Sequence, residues 1–425
     1  MAEDGACINA MFFAPSETGH MVPLLHIAEA VARAGHGVFV CTSDFDEPKW
    51  KPKVQSIGGT FLPIACGGIT AETLEQRERE TGNSPFSGLL ALWREPVRGV
   101  IRSAEPKPSV IVADFCALAA QEAAEEFKID LVINLPGSVT QLGAIGKIAN
   151  SAGDFGRILH RQTKRGVVLV NSFFGLEPPV PLPANIKTTG PVSAPIAQLR
   201  QSLGAEHAAL SAWLRSSSTA VVLISTGSIA KLQEWQVHAI FHGVKEAKLR
   251  AVWSLGKDLQ EALPARDDPG FWTSSWIPQE ALLQDEAVKL VITHCGWGGT
   301  LECVMAAQPV VCMPFFGDQF LNASLLMRSG CGEPICKPLP SAVMARGNPY
   351  TAGMFTARSV AGVLHAVLSR PKYKQRAMEH QRAALPTGGA AEAARQVEWA
   401  GRFGVGHLCS GENARKDQQE GCAAM

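Results

Sequence analysis

The chain has 425 residues, 46% of them hydrophobic, and its 39 lysine and arginine residues equal its 39 aspartate and glutamate residues. This length is sufficient for two domains with full cores, and the zero net charge gives no indication of a nucleic-acid partner or of an anionic membrane surface. The acidic N-terminus is unlike a secretory signal, and no apolar run approaches the about 20 residues that span a membrane.

The 11 cysteines are scattered, and several lie in apolar segments, for example Cys41, Cys303 and Cys312. Such cysteines are typical small buried residues of a reducing compartment. Cys295 follows His294, but no second Cys/His pair lies at the spacing of metal ligands. We therefore expect a cytoplasmic protein that contains no metal and no cofactor.

The N-terminal half predicts alternating strands and helices. The hydrophobic patterns indicate strands at 7–13, 37–41 and 109–113 and helices at 20–34 and 116–127. Asp114 ends the third of these strands. A carboxylate at that position either points into a ligand site or caps the helix that follows.

A further helix at 84–103 interrupts the alternation. Its apolar side contains Phe86, Leu90 and Trp93. Two interpretations are open: the helix forms one wall of an acceptor pocket, or it packs on the sheet as an ordinary amphipathic helix.

A proline-rich run at 177–195 marks a domain boundary, and the second half resumes the alternation. Strands are predicted at 220–224, 289–293 and 310–313, and helices at 233–247, 298–307 and 319–328. This order implies parallel strands with crossover helices, with ligands beyond the carboxyl ends of the strands. The turns before the helices at 233 and 298 offer free backbone N–H groups, which suit a diphosphate.

One window, 276–319, contains Trp-x-Pro-Gln at its start, His-Cys-Gly-Trp at its centre, a glutamate five residues further on and Asp-Gln at its end. This combination resembles the nucleotide-sugar signature of the plant-type family 1 UDP-dependent glycosyltransferases. The resemblance implies an α/β protein with two doubly wound Rossmann-like domains that face a cleft, the GT-B arrangement. It covers roughly residues 5–403.

The resemblance also implies roles in binding a UDP-sugar. Trp276 stacks on uracil, Gln279 meets the polar edge of the base, and Glu302 accepts hydrogen bonds from the ribose. His294 and Gly296 lie at the diphosphate. Trp297, Asp318 and Gln319 surround the sugar, and a glutamine at the end of the window is common among members that use glucose. Thr226 and Ser228 resemble phosphate-contacting hydroxyls, although helix capping explains them equally well.

The chain departs from the family pattern at two places. Gly298-Gly299 stands where the family has Asn-Ser, so two side-chain donors are missing, while bare backbone can approach phosphate closely. Asp285 replaces a histidine nine positions after Trp276.

The loop before the first helix, APSETGHMVPLL, resembles the first loop of the same family, which makes His20 the general base. A neutral imidazole is suited to removing the proton of an acceptor hydroxyl near neutral pH. Asp114, in the segment VADFC, is then the residue that orients the imidazole and stabilises the imidazolium.

These inferences predict the inverting transfer of a hexose, with glucose expected, from UDP to a hydroxyl of a small apolar or aromatic acceptor. The alternatives are a sterol or lipid glycosyltransferase of the same fold and a non-catalytic sugar-nucleotide-binding protein. We expect a monomer with domains at 1–190 and 204–390, a linker at 191–203, a helix at 391–403 that returns to the first domain and an unstructured tail at 404–425.

The chain ends in Cys422-Ala423-Ala424-Met425, the pattern of a farnesylation signal in a eukaryotic host. A single prenyl chain would give weak, reversible attachment to the cytosolic face of a membrane, and Cys409 is a candidate for a second lipid. The alternative is a chance ending. Mass spectrometry of the C-terminal peptide from native host cells distinguishes them, because farnesylation adds the lipid to Cys422, whereas an intact peptide ending in Met425 excludes it.

Overall fold

The computed structural model describes residues 7–70, 72–73, 76, 85–148, 153–227, 230, 232–338 and 348–409. The chain forms two compact units. Unit 1 comprises Met1–Phe173, Pro179–Val192 and Thr387–Met425, and unit 2 comprises Phe174–Pro178 and Ser193–Pro386. Ser228, the tail from residue 410 with Cys422, and the side chain of Phe86 lie outside the described residues.

Thirteen strands are present in the described part of the chain. In unit 1 they are β1 (Asn9–Phe13), β2 (Gly37–Ser43), β3 (Thr60–Ile64), β4 (Val110–Asp114), β5 (Asp130–Leu135), β6 (Val167–Val170) and β7 (Ile186–Thr188). In unit 2 they are β8 (Val221–Ser225), β9 (Arg250–Ser254), β10 (Phe271–Ser274), β11 (Val288–Thr293), β12 (Val310–Cys312) and β13 (Gly332–Pro334).

The helices alternate with these strands. Unit 1 contains α1 (Thr18–Arg33), α2 (Glu47–Ser56), α3 (Pro85–Ser103), α4 (Leu118–Glu126), α5 (Val139–Ile148), α6 (Gly153–Gln162) and, from the end of the chain, α16 (Gly389–Phe403). Unit 2 contains α7 (Ile196–Glu206), α8 (Ala208–Arg215), α9 (Glu234–Glu246), α10 (Lys257–Gln260), α11 (Gln279–Leu283), α12 (Trp297–Met305), α13 (Asp318–Arg328), α14 (Ala357–Ser369) and α15 (Pro371–Ala384).

Each unit is built on one parallel sheet. The strand order is β3-β2-β1-β4-β5-β6-β7 in unit 1 and β10-β9-β8-β11-β12-β13 in unit 2. In each sheet the order reverses between two neighbouring strands, β1 and β4 in the first and β8 and β11 in the second. Ligands of doubly wound sheets bind beyond the carboxyl ends of such strands, so these two places define where the functional residues are to be sought.

Alternation along the strands explains why both faces of the second sheet carry helices. Val222 and Ile224 of β8 point into a core formed with α9 and α14, whereas Val221 and Leu223 point into a core formed with α11, α12 and α13. Successive side chains of a strand lie on opposite faces, so a strand that is apolar at every position must be covered on both.

The core of unit 1 includes the last helix of the chain. Ala393, Val397 and Ala400 of α16 are buried with residues of α1, β1 and β4. Gly401 lies against Ile8, since a Cβ there would be 3.1 Å from its side chain. Helix α16 is thus part of the first unit, although the segment 193–386 precedes it in the sequence.

The boundaries differ from the predicted ones in two places. The segment 191–203, predicted as a linker, includes the first turns of α7. The tail was predicted to lack structure from residue 404, but its described part, 404–409, is structured: Val405 is buried, Gly406–Leu408 form a 3-10 turn, and the Cys409 thiol donates to the Arg165 carbonyl at 3.0 Å. Within the described residues, no helix has the length and apolar character needed to cross a bilayer.

Candidate active site

In unit 1 the sequence-predicted base and its partner are in contact. His20 lies in the first turn of α1, and its Nδ1 is 3.0 Å from Oδ1 of Asp114, the last residue of β4. The carboxyl group of Asp114 is fully buried, whereas the imidazole is 17% exposed. A buried carboxylate that holds Nδ1–H fixes the tautomer of the imidazole and leaves Nε2 as its basic atom.

The turn after β4 holds Asp114 in place. The Cys116 backbone N–H donates to Oδ1 at 2.8 Å, and Gln121 Nε2 donates to the Asp114 carbonyl at 3.0 Å. Phe115 stacks on the His20 ring, with centroids 5.5 Å apart. Asp114 therefore accepts from the turn and also contacts His20. It does not cap the helix that follows, because the N-cap residue of α4 is Ala117 and no side chain caps that helix.

The residues proposed as an acceptor wall are mostly in the core. Leu90 and Trp93 of α3 are buried, and Trp93 Nε1 donates to Ser43 Oγ at 3.1 Å. This contact supports the alternative in which α3 packs on the sheet; an acceptor role for Phe86, Leu90 and Trp93 stays a prediction.

In unit 2, His294 directly follows β11 and is enclosed by glycine backbone. A Cβ at Gly227 would lie 2.6 Å from His294 Nε2, and one at Gly296 would lie 2.5 Å from it. The His294 backbone N–H donates to Ser225 O at the end of the neighbouring strand β8, at 3.2 Å. Only glycine fits at these two positions, which explains the glycines on both sides of the ring.

Burial determines the charge of His294. It lowers the pKa of the imidazole to about 4, so the ring is neutral at physiological pH. A neutral imidazole can donate a hydrogen bond to a phosphate but brings no positive charge. Thr226, which follows β8 in the same loop region, is buried.

A second polar group connects α11 to α12. Gln279 Nε2 donates to Glu302 Oε2 at 2.6 Å. Burial raises the pKa of the Glu302 carboxyl, and burial together with the charge of Glu302 raises the pKa of the neighbouring Glu280 to about 8. At neutral pH this pair holds a proton, a feature that sequence reasoning missed because Glu280 lies outside the family pattern.

Trp276 differs from the other aromatic residues of the unit in its exposure, which is 63%. His207, between α7 and α8, contacts it with ring centroids 5.6 Å apart. An exposed indole that is supported from one side is suited to stacking with a planar base. No sequence signal singled out His207.

The residues expected around the sugar have different hydrogen-bond partners. Asn322 Nδ2 donates to the Cys295 carbonyl at 3.0 Å and to Asp318 Oδ2 at 2.9 Å. Trp297 and Gln319 are buried, and Gln319 Oε1 accepts from the Phe315 N–H at 2.8 Å. Any contact of Gln319 with a sugar would therefore involve its amide N–H groups.

The departures from the family pattern have different structural consequences. Asp285 forms a bidentate ion pair with Arg215, at 2.9 and 2.7 Å, which ties α8 to the end of α11. A Cβ at Gly298 would meet nothing within 4 Å, and one at Gly299 would make ordinary contacts. The first change forms a structural ion pair, whereas the second leaves open space at the start of α12.

Two solved structures have a fold similar to that of this chain. Os79 from O. sativa, in complex with U2F and trichothecene, aligns with a TM-score of 0.75 at 17% identity, over 91% of this chain and all of that one. A UDP-glucosyltransferase from Polygonum tinctorium capable of glucosylating indoxyl aligns with a TM-score of 0.71 at 17% identity, over 94% and 99%. The fold class, α/β with two Rossmann-like domains of the GT-B type, is confirmed.

Sequence comparison identifies the family, whereas the solved structures show only the fold. The model of the UDP-glucoronosyl and UDP-glucosyl transferase family matches residues 154–383, more than half of the chain. UDP-glycosyltransferase 73C5 of Arabidopsis thaliana is 25% identical over 75% of this chain and 81% of its own length, and a flavonol 3-O-glucosyltransferase of the same plant is 33% identical over 40% and 39%. The chain therefore belongs to the UDP-glucoronosyl and UDP-glucosyl transferase family and is a UDP-glycosyltransferase.

The Glu280–Glu302 pair predicts a pH-dependent stability. The Glu280 pKa rises from its ordinary 4.5 to about 8 on folding. Between these values folding takes up a proton, so this group's contribution to stability falls as pH rises. Replacing Glu280 by glutamine removes this pH-dependent loss of stability.

We expect Glu280→Gln to raise Tm relative to the unmodified chain by several degrees more at pH 8 than at pH 5, since about 1 kcal/mol moves Tm by about 2–4 °C. Calorimetry at the two pH values measures this, with the exposed Glu286→Gln as control. An equal difference in Tm between Glu280→Gln and the unmodified chain at both pH values would contradict the raised pKa of Glu280.

Proposed function

We propose that this enzyme transfers glucose from UDP-glucose, with inversion at the anomeric carbon, to a hydroxyl of a small apolar or aromatic acceptor. The observation that carries the proposal is the 3.0 Å contact between His20 Nδ1 and the buried Asp114 carboxylate. A non-catalytic nucleotide-binding protein has no need of such a pair, which argues against that alternative.

The pair supplies the proton chemistry of the transfer. His20 Nε2 removes the acceptor proton as the acceptor oxygen attacks the anomeric carbon, and the bond from that carbon to the UDP oxygen breaks. Asp114 stabilises the resulting imidazolium through Nδ1–H. A positioned base of this kind contributes about 10²–10⁴-fold to a rate.

The charge that develops on UDP is assigned to hydrogen-bond donors of unit 2. The candidates are the backbone N–H groups at the start of α12 and the neutral imidazole of His294, acting as donors to phosphate oxygens. We propose that no metal is needed. An Asp-x-Asp sequence occurs at Asp44–Asp46, but it lies in unit 1, where Asp44 accepts the Cys66 N–H at 3.2 Å.

The names of related proteins support the choice of substrates. They include a flavonol 3-O-glucosyltransferase and a glucosyltransferase capable of glucosylating indoxyl, both of which point to glucose and to planar aromatic acceptors. A sterol or lipid acceptor is the second candidate, and it would fit a prenylated enzyme held at a membrane.

His20→Ala should reduce transfer by at least about 100-fold, because the acceptor hydroxyl loses its base, while UDP binding stays unchanged because the nucleotide contacts belong to unit 2. Asp114→Asn should also impair turnover severely, since it leaves the imidazolium without a counter-charge. The measurements are UDP release from UDP-glucose over a panel of phenolic, alcoholic and sterol acceptors and calorimetric titration with UDP.

His160→Ala, which changes a histidine of α6 in the same unit, is the matched control and should retain activity. Near-normal turnover of His20→Ala with alcohol acceptors would refute the assigned mechanism. Tight UDP binding without turnover of any acceptor by the unmodified chain would favour the non-catalytic alternative.

In a donor competition, UDP-glucose should be used in preference to UDP-galactose, whose 4-hydroxyl is axial. The physical reason is that Asp318 and the amide of Gln319 are suited to pairing with equatorial hydroxyls. Product masses from a mixture of equimolar donors measure the preference, and a clear excess of galactosyl or glucuronosyl product would overturn the choice of glucose.

A further inference from the structure

Three potential metal ligands converge beyond the carboxyl end of β4. A ring nitrogen of His20, a carboxylate oxygen of Asp114 and the thiol sulfur of Cys116 all lie within 4.8 Å of one another. Asp114 and Cys116 are two residues apart on one turn, and His20 approaches from the first turn of α1. The transfer chemistry described above uses the first two residues and gives the Cys116 side chain no task.

One ligand atom of this group is unused by the protein. Asp114 Oδ1 is contacted by His20 Nδ1 and accepts the Cys116 N–H, but Oδ2 is buried and has no hydrogen-bond partner among the described residues. Buried carboxylate oxygens are normally satisfied, because an unpaired one loses its hydration without compensation. A cation bound there would satisfy it.

We propose that His20, Asp114 and Cys116 form an inhibitory binding site for Zn²⁺. Imidazole nitrogen, carboxylate oxygen and thiolate sulfur are the three ligand types that zinc accepts, and three protein ligands leave the fourth tetrahedral position to water. The thiolate favours zinc over magnesium and calcium, which prefer oxygen. The metal ion would reach the site from solvent past the partly exposed His20 ring.

The required movement is small. Ligands about 2.0–2.3 Å from a tetrahedral zinc are roughly 3.3–3.6 Å apart. His20 Nδ1 now lies 3.0 Å from Asp114 Oδ1, so the ring must turn from Oδ1 toward Oδ2, and the Cys116 sulfur must approach within the existing cluster. Side-chain rotations suffice for this, and the Cys116 N–H can remain bound to Oδ1.

Binding would stop the reaction through the same atoms that perform it. Zinc displaces the thiol proton of Cys116, which leaves to solvent, and it takes the Nδ1 lone pair of His20. The imidazole proton then resides on Nε2, so Nε2 can no longer accept a proton from the acceptor. The inhibition rests on the proposed role of His20, whereas the binding itself does not.

Direct binding is measured on the full chain in two ways. In a competition against a chromogenic zinc chelator, Cys116→Ala should weaken the highest-affinity site by at least about tenfold, since even partners outside the ligand shell contribute 10–100-fold. With Co²⁺ as the probe, the unmodified chain should show a near-ultraviolet thiolate-to-metal absorption band that Cys116→Ala lacks. Cys7→Ala, which removes an exposed cysteine of the same unit, should keep both signals.

Turnover provides the second readout. Zinc should inhibit the unmodified chain and Cys7→Ala at the concentrations that fill the site, EDTA should restore the rate, and Cys116→Ala, compared with its own zinc-free rate, should resist. Equal zinc affinity of the unmodified chain and Cys116→Ala, or a cobalt complex without a thiolate band, would overturn the site. If the chain transferred no sugar at all, the binding measurements would still decide the zinc site, while the assignment of His20 as the base would fall separately.

Discussion

The parallel arrangement of each sheet is the constraint from which both groups of functional residues follow. All strands of a parallel sheet present their carboxyl ends at one edge, and a gap between the crossover helices opens only where the strand order reverses. In unit 1 this is between β1 and β4, and in unit 2 between β8 and β11. His20 follows β1 and Asp114 ends β4, while Thr226 and Gly227 follow β8 and His294 follows β11. Residues 94 positions apart thus come within hydrogen-bond distance because their strands are neighbours.

Burial at these edges sets the protonation states on which the chemistry depends. The strands are apolar at nearly every position, so polar groups at their ends sit against a dry core. The consequence for His294 is a neutral ring. Glu280 and Glu302 lie in α11 and α12 rather than at strand ends, and burial raises the pKa of both carboxyls. Neutral groups would suit the proposed donor site, because two carboxylates would repel each other and the phosphates of the nucleotide. The charge on departing UDP is then assigned to backbone and imidazole donors.

The sequence predicted the elements that carry these residues to within a few positions, because parallel strands buried on both faces are short apolar runs and the glycine and proline residues between them mark the turns. It also predicted the contact between His20 and Asp114. It did not predict interactions that depend on three-dimensional neighbours: the Trp93 indole turns to Ser43, Phe115 stacks on His20, and His207 supports Trp276 from 69 positions away. Each involves a residue type that, taken alone, is equally common in a core or on a surface. The raised pKa of Glu280 could not be predicted for the same reason, since it depends on the Glu302 carboxylate in another helix.

The two departures from the family pattern show why a motif must be read together with its surroundings. Asp285 replaces a histidine, but the position keeps a polar role because Arg215 donates two hydrogen bonds to it. This change is therefore compensated within the protein. Gly298 and Gly299 have no comparable partner, and at Gly298 open space surrounds the position of the missing side chain. The missing side-chain donors therefore concern contacts with the ligand and not the packing of the protein. In the donor site that we propose, phosphate or sugar oxygens would be satisfied by backbone N–H groups at the start of α12, by His294 or by water. Backbone donors are fixed by the helix and carry no conformational freedom, so the proposed site would replace adaptable side-chain donors by a rigid set of backbone donors.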